Sequence, residues 1–217
     1  MITKSEEDYI KEIYSLQEEL QTEVSTNIIA EKINAKASSV TDMLQKLARK
    51  KLLVYKKYKG VKLNSTGNKI ALSIIRKHRL WETFLVKKLN FTWDEVHEIA
   101  EQLEHIHSDR LIKQLDEFLN FPIVDPHGHP IPNSKGEFEK IKTILLNQLK
   151  IGSQGIFVGV KDSSDTFLKY LSANNLSIGC KIRVIHKETF DNSLKIEIEN
   201  KQFNISESVA KNLYLKN

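Results

Sequence analysis

The chain has 217 residues, of which 40% are hydrophobic and 28% charged, ordinary values for a globular protein with room for two or three small domains. It contains no apolar run of about 18 residues and no basic leader followed by an apolar stretch, so we expect neither a membrane span nor a signal peptide. The single cysteine, Cys180, excludes an internal disulfide framework and a thiolate zinc site, and it favours a reducing, cytoplasmic location.

The net charge of +5 is distributed unevenly along the chain. Residues 31–80 contain 14 Lys and Arg against two Asp and Glu, whereas residues 1–30 contain two against seven and residues 81–120 four against nine. A basic segment beside acidic ones predicts a phosphate-binding face next to a cation-binding one. A lysine-rich surface that serves solubility alone would give the same counts.

The first predicted element is an amphipathic helix that begins at Ser5 and ends near Glu19. The Ser5 hydroxyl is a suitable N-cap, and the acidic residues that follow it, up to Asp8, are favoured by the helix dipole. Apolar residues then recur at helical spacing. Taken alone, Asp8 is an ordinary first-turn carboxylate.

Two short helices come next, and their spacing predicts a helix-turn-helix. The first opens at Ser25 and Thr26 and ends at residues 34–36, and the second begins at Ser38 and Ser39. The second helix would enter the major groove of DNA. The side chains predicted to contact bases or phosphates are Thr26, Ser38, Ser39, Thr41, Asp42, Gln45 and Lys46. An ordinary helical hairpin is the alternative interpretation.

Residues 52–63 alternate apolar and aromatic residues with lysines around a turn at Lys59 and Gly60, which predicts a β-hairpin. A helix-turn-helix followed at once by a hairpin is typical of a winged helix. Lys56, Lys57 and Lys59 are placed where such a wing meets the phosphate backbone.

A long helix capped by residues 64–67 leads into a second group of polar residues. His78 and Glu82 lie one turn apart on it, and His97, Glu101, Glu104 and His105 share one face of a following helix. If the two helices pack antiparallel, these side chains converge, an arrangement that is costly unless a cation neutralises it. Oxygen and imidazole ligands without thiolate suit Mn(II) or Fe(II). Solvated helix faces are the alternative.

The rest of the chain is predicted to form a dimer interface and a separate β module. The helical region up to about residue 118 holds further apolar residues, which a self-complementary helical interface explains: Leu111, Ile112, Leu115 and Phe118. All four prolines fall within residues 122–132, where His127 and His129 are possible metal ligands but a D-P-H-G turn is the better interpretation. A linking helix is predicted over residues 137–149, followed by short alternating strands that suggest a small β-barrel.

The predicted fold is therefore mainly α with a β wing, followed by a small C-terminal β-barrel. We divide it into a DNA-binding domain over residues 1–72, a helical metal-binding and dimerisation domain over residues 73–140, and a β domain over residues 141–217.

No nucleophile elbow, phosphate loop or dinucleotide fingerprint occurs in the sequence. Clustered Glu and His also build carboxylate-bridged dimetal enzymes, but these use a duplicated Glu-x-x-His pair that is absent here, and a wing has no role in them. A metal-independent winged-helix repressor is the third interpretation. Metal titration of operator binding separates the three.

The sequence resembles the diphtheria toxin repressor family of metal-dependent regulators. The resemblance covers the whole chain at sensible spacing and rests on five motifs: S-S-V-T from Ser38, R-K-H-R-L-x-E from Arg76, V-H-E-I-A-E-Q-L-E-H from Val96, S-D-R-L from Ser108 and D-P-H-G-H-P-I-P from Asp125. It implies a homodimer that binds palindromic operator DNA when Mn(II) or Fe(II) is abundant and controls metal uptake. It also implies an SH3-like C-terminal domain.

The resemblance assigns residues to two metal sites. The main site matches Asp8, Glu101, Glu104 and His105, and His78 matches a ligand used in both the manganese and iron branches. Glu82 and His97 match an ancillary site, to which a loop near Asp162 and Asp165 can add a carboxylate. Asp8 and Glu101 are typical of the manganese branch, which makes Mn(II) the expected cofactor and Fe(II) the alternative. Lys11 departs from that branch, where a glutamate stands one turn after the Asp8 position.

Overall fold

The structure is a computed structural model that describes residues 2–56 and 59–216. Its helices are α1 Lys4–Leu20, α2 Thr26–Ile33, α3 Ala37–Arg49, α4 Ser65–Leu89, α5 Val96–Leu103, α6 Asp109–Phe118, α7 Asp165–Ala173 and α8 Glu207–Ala210. Its strands are β1 Leu53–Lys56, β2 Gly60–Leu63, β3 Ile144–Leu145, β4 Gln154–Val160, β5 Lys181–Lys187, β6 Leu194–Ile198, β7 Lys201–Ile205 and β8 Leu213–Lys216. Within the described ranges, no helix is long and apolar enough to cross a bilayer.

The chain divides into two compact units, and the first comprises Met1–His78, Glu101–Asp109 and Pro132–Glu137. Helix α1 begins two residues earlier than predicted, because Thr3 rather than Ser5 is its N-cap and forms a capping box with Glu6. The predicted N-cap Ser25 is confirmed at the start of α2, where its hydroxyl accepts the backbone N–H of Ile28.

The predicted helix-turn-helix and wing are confirmed in this unit. Strands β1 and β2 pair antiparallel from Leu53 opposite Leu63 to Lys56 opposite Gly60, and Val24 adds a bridge to Val61. Helices α1 to α3 and the wing share one core, whose fully buried members include Ile10, Ile13, Ile29, Val40, Leu44, Leu47 and Val61. This core packs one face of α3 and leaves its other face exposed.

Helix α4 begins as predicted after Asn64, whose Oδ1 accepts the backbone N–H of Gly67 at 3.0 Å. A Cβ at Gly67 would lie 2.2 Å from the carbonyl oxygen of Leu52, so only glycine fits where this helix crosses the start of the wing. The helix runs for 25 residues and carries both His78 and Glu82.

The second unit comprises Arg79–Ala100, Arg110–Ile131 and Phe138–Asn217. Its antiparallel sheet has six strands in the order β3-β8-β4-β5-β6-β7, which confirms the predicted small β domain. The core of the sheet centres on Phe157, Ile182, Val184, Ile196 and Leu215. Helix α7 and strand β8 were not predicted from the sequence.

The prediction of a helix over residues 137–149 is wrong. Residues 137–143 have no regular secondary structure, and they are followed by strand β3 and a single 3₁₀ turn, Leu146–Gln148. Ile144 pairs with Leu215, and Leu146 is fully buried in the core of the sheet. Pairing with the last strand therefore outweighs the helical spacing of the apolar residues, which also fits a short buried strand.

Candidate metal centre and DNA-binding face

The first turn of α1 places two carboxylates against His105. Nδ1 of His105 donates to Oε2 of Glu7 at 2.6 Å, and its Nε2 lies 3.0 Å from Oδ1 of Asp8 and 3.8 Å from Oε1 of Glu104. A carboxylate that accepts from one imidazole nitrogen fixes the tautomer and the ring orientation. Nε2 of His105 therefore faces the oxygens of Asp8 and Glu104.

Glu104 is fully buried and is shared by three partners. Its Oε2 accepts from Nδ1 of His78 at 2.6 Å, and its Oε1 accepts from Nζ of Lys11 at 2.7 Å. The same Lys11 ammonium donates to Oε1 of Glu101 at 2.8 Å. Lys11 thus lies between the two carboxylates that the sequence assigned to metal.

The carboxylates of this cluster range from the fully buried Glu104 to Asp8 and Glu101, whose side chains are 41% and 45% exposed. Burial raises the pKa of the Asp8 carboxyl, and the neighbouring charges of His105 and Lys11 only partly oppose that rise. Burial by itself would lower the pKa of the Lys11 ammonium, but Glu104 and Glu101 outweigh it and raise the pKa. Lys11 therefore stays charged and offsets one carboxylate.

The donor set fits a hard or borderline divalent cation. Two overlapping groups hold ligand atoms within 4.8 Å of one another: Asp8, Glu104 and His105 form one, and His78, Glu101 and Glu104 form the other. Carboxylate oxygen and imidazole nitrogen are the ligands that Mn(II) and Fe(II) prefer. These five residues are all among the ligands predicted from the sequence.

Two features of this cluster differ from the sequence interpretation. Helix α5 ends at Leu103, so Glu104 and His105 lie in the turn that follows it rather than on its face. This turn lets Glu104 contact His78 while His105 contacts Glu7. Glu7 was missed because a first-turn glutamate beside an N-cap already has a structural explanation.

The second unit contains another group of Glu, Asp and His residues. Oε1 of the buried Glu82 lies 3.5 Å from Nδ1 of His97, and its Oε2 lies 3.6 Å from Nδ1 of His127. Nε2 of His127 donates to the carbonyl of Trp93 at 2.7 Å, and the two rings stack at 6.4 Å. Burial by itself would lower the pKa of His127, but Glu82, Asp125 and the carbonyl of Trp93 together outweigh it and raise the pKa.

The D-P-H-G segment forms the predicted turn and also joins this group. Oδ1 of Asp125 accepts the backbone N–H groups of His127 and His129, and Gly128 has a φ of 84°. Among the described residues, the buried Oδ2 of Asp125 has no hydrogen-bond partner, and it lies 3.4 Å from Nδ1 of His129. Asp125, His127 and His129 have ligand atoms within 4.8 Å of one another. Turn formation and metal ligation, which the sequence set against each other, are therefore compatible here.

Asp162 and Asp165 lie where strand β4 leads into helix α7. Oδ1 of Asp162 accepts the backbone N–H of Ser164 at 2.9 Å, and Asp165 is the first residue of α7. Among the residues that the structure describes, no group of three or more potential metal ligands includes either aspartate. Their assignment as ligands stays a prediction.

The exposed face of α3 carries the side chains predicted to contact DNA. Ser38, Ser39, Asp42, Gln45 and Lys46 are exposed. The partly buried Thr41 and Thr26 stand at the edges of this face, and the Thr41 hydroxyl donates to the carbonyl of Ala37 at 2.9 Å. Helix α3 starts at Ala37, and in the described chain no side chain caps it. Its first backbone N–H groups are therefore suited to donate hydrogen bonds to a phosphate.

The wing contributes further positive charge. Lys56 and Lys59 are exposed at its tip, and Nζ of Lys56 lies 3.8 Å from Oε1 of Glu23. Lys57, also predicted to contact phosphate, lies outside the described residues.

Three family models match successive parts of the chain. Residues 1–61 match the iron-dependent repressor N-terminal DNA-binding domain, residues 64–133 match the iron-dependent repressor metal-binding and dimerisation domain, and residues 144–217 match the FeoA domain.

Comparisons with whole proteins agree with the family models. The chain is 31% identical to the diphtheria toxin repressor of Corynebacterium jeikeium over 183 residues, which are 83% of this chain and 76% of that one. It is 34% identical over 126 residues to the iron-dependent repressor IdeR of Mycobacterium tuberculosis, of which it spans about half, 54%. Among solved structures, a manganese-dependent transcriptional repressor in complex with manganese matches with a TM-score of 0.83 and 34% identity. This match covers 97% of the present chain and 98% of the repressor chain.

Proposed function

We propose that this chain, which belongs to the diphtheria toxin repressor family of metal-dependent transcriptional repressors, binds palindromic operator DNA as a homodimer when Mn(II) is bound, and so controls metal-uptake genes. Residues 1–72 contact DNA, residues 73–140 bind metal and dimerise, and residues 141–217 form an SH3-like module. Since the operator is chromosomal, the protein acts in the cytoplasm.

One observation carries this proposal: the first turn of α1 and the residues after α5 bring Asp8, Glu104 and His105 together in the unit that also contains the recognition helix. A bound cation supplies positive charge that offsets the carboxylates. Asp8 would tie α1 to Glu104 and His105, and the chain would be restricted to the arrangement of recognition helices that fits DNA.

Charge favours one divalent cation at this centre. Among the predicted ligands, Asp8, Glu101 and Glu104 carry three negative charges, and the Lys11 ammonium offsets one of them. The charge of these ligands that is left equals that of one divalent ion, with Glu7, which is paired with His105, outside the count. We propose a second cation site at Glu82, His97 and His127, with Asp125, His129 and either Asp162 or Asp165 as additional ligands.

The test of the function is operator affinity with and without metal. A fluorescent duplex that carries a palindrome selected in Mn(II) is titrated with protein in Mn(II) and in excess chelator. We expect Mn(II) to tighten binding by about 5- to 150-fold, the usual range of coupling between two sites. Equal affinity in both solutions would support the metal-independent repressor instead.

The metal itself is tested with the same duplex and a variant. Oxygen ligands at positions 8 and 101 favour Mn(II), although Fe(II) stands above Mn(II) in the general stability order. We expect Mn(II) to activate the wild type and Fe(II) to activate it anaerobically, and Glu101→Cys to shift the preference toward Zn(II). A wild type that responds to iron and ignores manganese would identify an iron-responsive regulator. The family consists of repressors rather than enzymes, which argues against the dimetal-enzyme alternative.

A further inference from the structure

Glu6 is a carboxylate that the metal centre does not use, yet its side chain is fully buried. Nζ of Lys50 lies 2.7 Å from Oε1 and donates to Oε2 at 2.8 Å, while Nζ of Lys46 lies 3.2 Å from Oε1. Oε2 also accepts the backbone N–H of Thr3 at 2.8 Å. Burial by itself would raise the pKa of Glu6, but these donors outweigh it and lower the pKa to about 2.

The partners of Glu6 belong to the recognition helix. Lys46 lies in the last turn of α3, and Lys50 is its C-cap. Ammonium groups are favoured at a helix C-terminus and carboxylates at an N-terminus. The contact between the start of α1 and the end of α3 is therefore favoured by both helix dipoles as well as by the ion pairs.

The same turn of α1 holds the metal centre. Successive helical residues point about 100° apart, so Glu6, Glu7 and Asp8 face different directions. Glu6 contacts Lys46 and Lys50 on α3, whereas Glu7 and Asp8 contact His105. One rigid turn thus contacts the recognition helix on one side and the predicted metal ligands on the other.

We infer that Glu6 is the positioning residue through which the metal centre acts on the recognition helix: its ion pairs with Lys46 and Lys50 make α3 follow the first turn of α1 when Asp8 is tied to Glu104 and His105. This inference rests on the proposed metal-dependent binding of operator DNA. It assigns to Glu6 neither metal nor DNA contact.

The test separates metal binding, DNA binding and the coupling between them. In Glu6→Gln we expect the affinity of the DNA-free protein for Mn(II), measured by calorimetry, to stay within about threefold of wild type. We expect the ratio of operator affinities in Mn(II) and in chelator to fall at least about fivefold. By reciprocity, the tightening of Mn(II) binding by operator DNA falls by the same factor. Glu23→Gln, which removes the same charge beside Lys56, is the control and keeps the wild-type ratio.

A double-mutant cycle keeps the inference testable if Glu6→Gln folds poorly. Lys50→Met should lower the same ratio, and Glu6→Gln/Lys50→Met should be no worse than the more affected single variant. Additive losses would overturn the inference, as would an unchanged ratio in Glu6→Gln. Tighter operator binding by Glu6→Gln in chelator would also overturn it, because Glu6 would then withhold lysines from DNA. If the wild type itself ignores Mn(II), the proposed function fails first.

Discussion

His105 has two ring nitrogens with different tasks. Glu7 accepts from Nδ1 at 2.6 Å, so that Nε2 is directed at Asp8 and Glu104. The buried Glu7 is thus an outer carboxylate of the kind that commonly orients metal-binding histidines. We expect Glu7 to contribute to metal affinity without being one of the predicted ligands.

Replacing Glu7 with Gln should weaken Mn(II) binding by about 10- to 100-fold, because an amide orients the imidazole less strongly and makes it a poorer ligand. Calorimetric titration of the DNA-free protein measures this. Glu19→Gln, at an exposed position in the last turn of α1, is the control and should bind as wild type does. An affinity within twofold of wild type in Glu7→Gln would show that His105 is oriented by other contacts.

Lys11 offers a second prediction at the residue scale. Only 8% of this residue is exposed, and Lys11→Met removes the ammonium that bridges Glu101 and Glu104. Breaking such a buried pair leaves Glu104 without its cation, so we expect the free energy of unfolding in chelator to fall by about 3 kcal/mol.

Mn(II) should restore more stability to Lys11→Met than to the wild type, because it then offsets a larger uncompensated charge. Urea unfolding in chelator and in Mn(II) measures both effects. Lys113→Met, which removes an exposed lysine paired with Glu117, should change neither. Equal Mn(II) stabilisation of Lys11→Met and wild type would contradict the view of Lys11 as a fixed countercharge.

At the element scale, the wing should contribute to the affinity for any duplex, whereas the recognition helix should determine which operator sequence is preferred. Lys56→Ala/Lys59→Ala should weaken binding to all duplexes similarly and reduce the salt dependence by about one unit of slope per lost phosphate contact. Changes at Ser39, Thr41 or Gln45 should instead alter which operator is preferred.

Binding isotherms at several salt concentrations, with specific and random duplexes, measure both. The exposed lysines of the β domain provide the control, Lys195→Ala/Lys201→Ala, which removes equal charge far from the wing in sequence. An unchanged slope in the wing variant would show that Lys56 and Lys59 do not contact phosphate.

The sequence predicts the elements whose signals are local. Ser25 and Asn64 cap α2 and α4 as expected, and the alternation of residues 52–63 forms the wing. The helix prediction for residues 137–149 fails because Ile144 pairs with strand β8 and Leu146 packs in the core of the sheet. Both partners lie far away in the chain. Helical spacing alone does not reveal such partners.

The metal site shows the same division. The residue types of Asp8, Glu101, Glu104 and His105 can be recognised from the motif. The roles of Glu7 and Lys11 depend on which side of α1 faces the turn after α5, and this is a tertiary property. For the D-P-H-G segment the sequence favours a turn over metal ligation by His127 and His129, because an Asx turn explains the spacing.

At the scale of the whole molecule, two-fold operator recognition requires a dimer. The predicted interface lies on α6, where Leu115 is buried but Phe118 is 57% exposed and Leu111 37%. Phe118 packs against Phe84 with ring centroids 6.2 Å apart and lies under Nζ of Lys88 at 4.9 Å. An exposed aromatic held in place by its neighbours favours burial against a second copy of the chain.

Phe118→Asp should therefore convert the dimer into a 25.0 kDa monomer, since it would bury an unpaired charge in each half of a two-fold interface. Light scattering coupled to size exclusion measures the mass, and Mn(II) calorimetry checks that the metal centre survives. Operator affinity should fall by at least about a hundredfold, because each subunit then binds one half-site alone. Phe190→Asp is the matched control: Phe190 is 95% exposed in the loop between β5 and β6, and its replacement should leave dimer and operator binding intact. A Phe118→Asp variant that remains dimeric would place the interface on another surface.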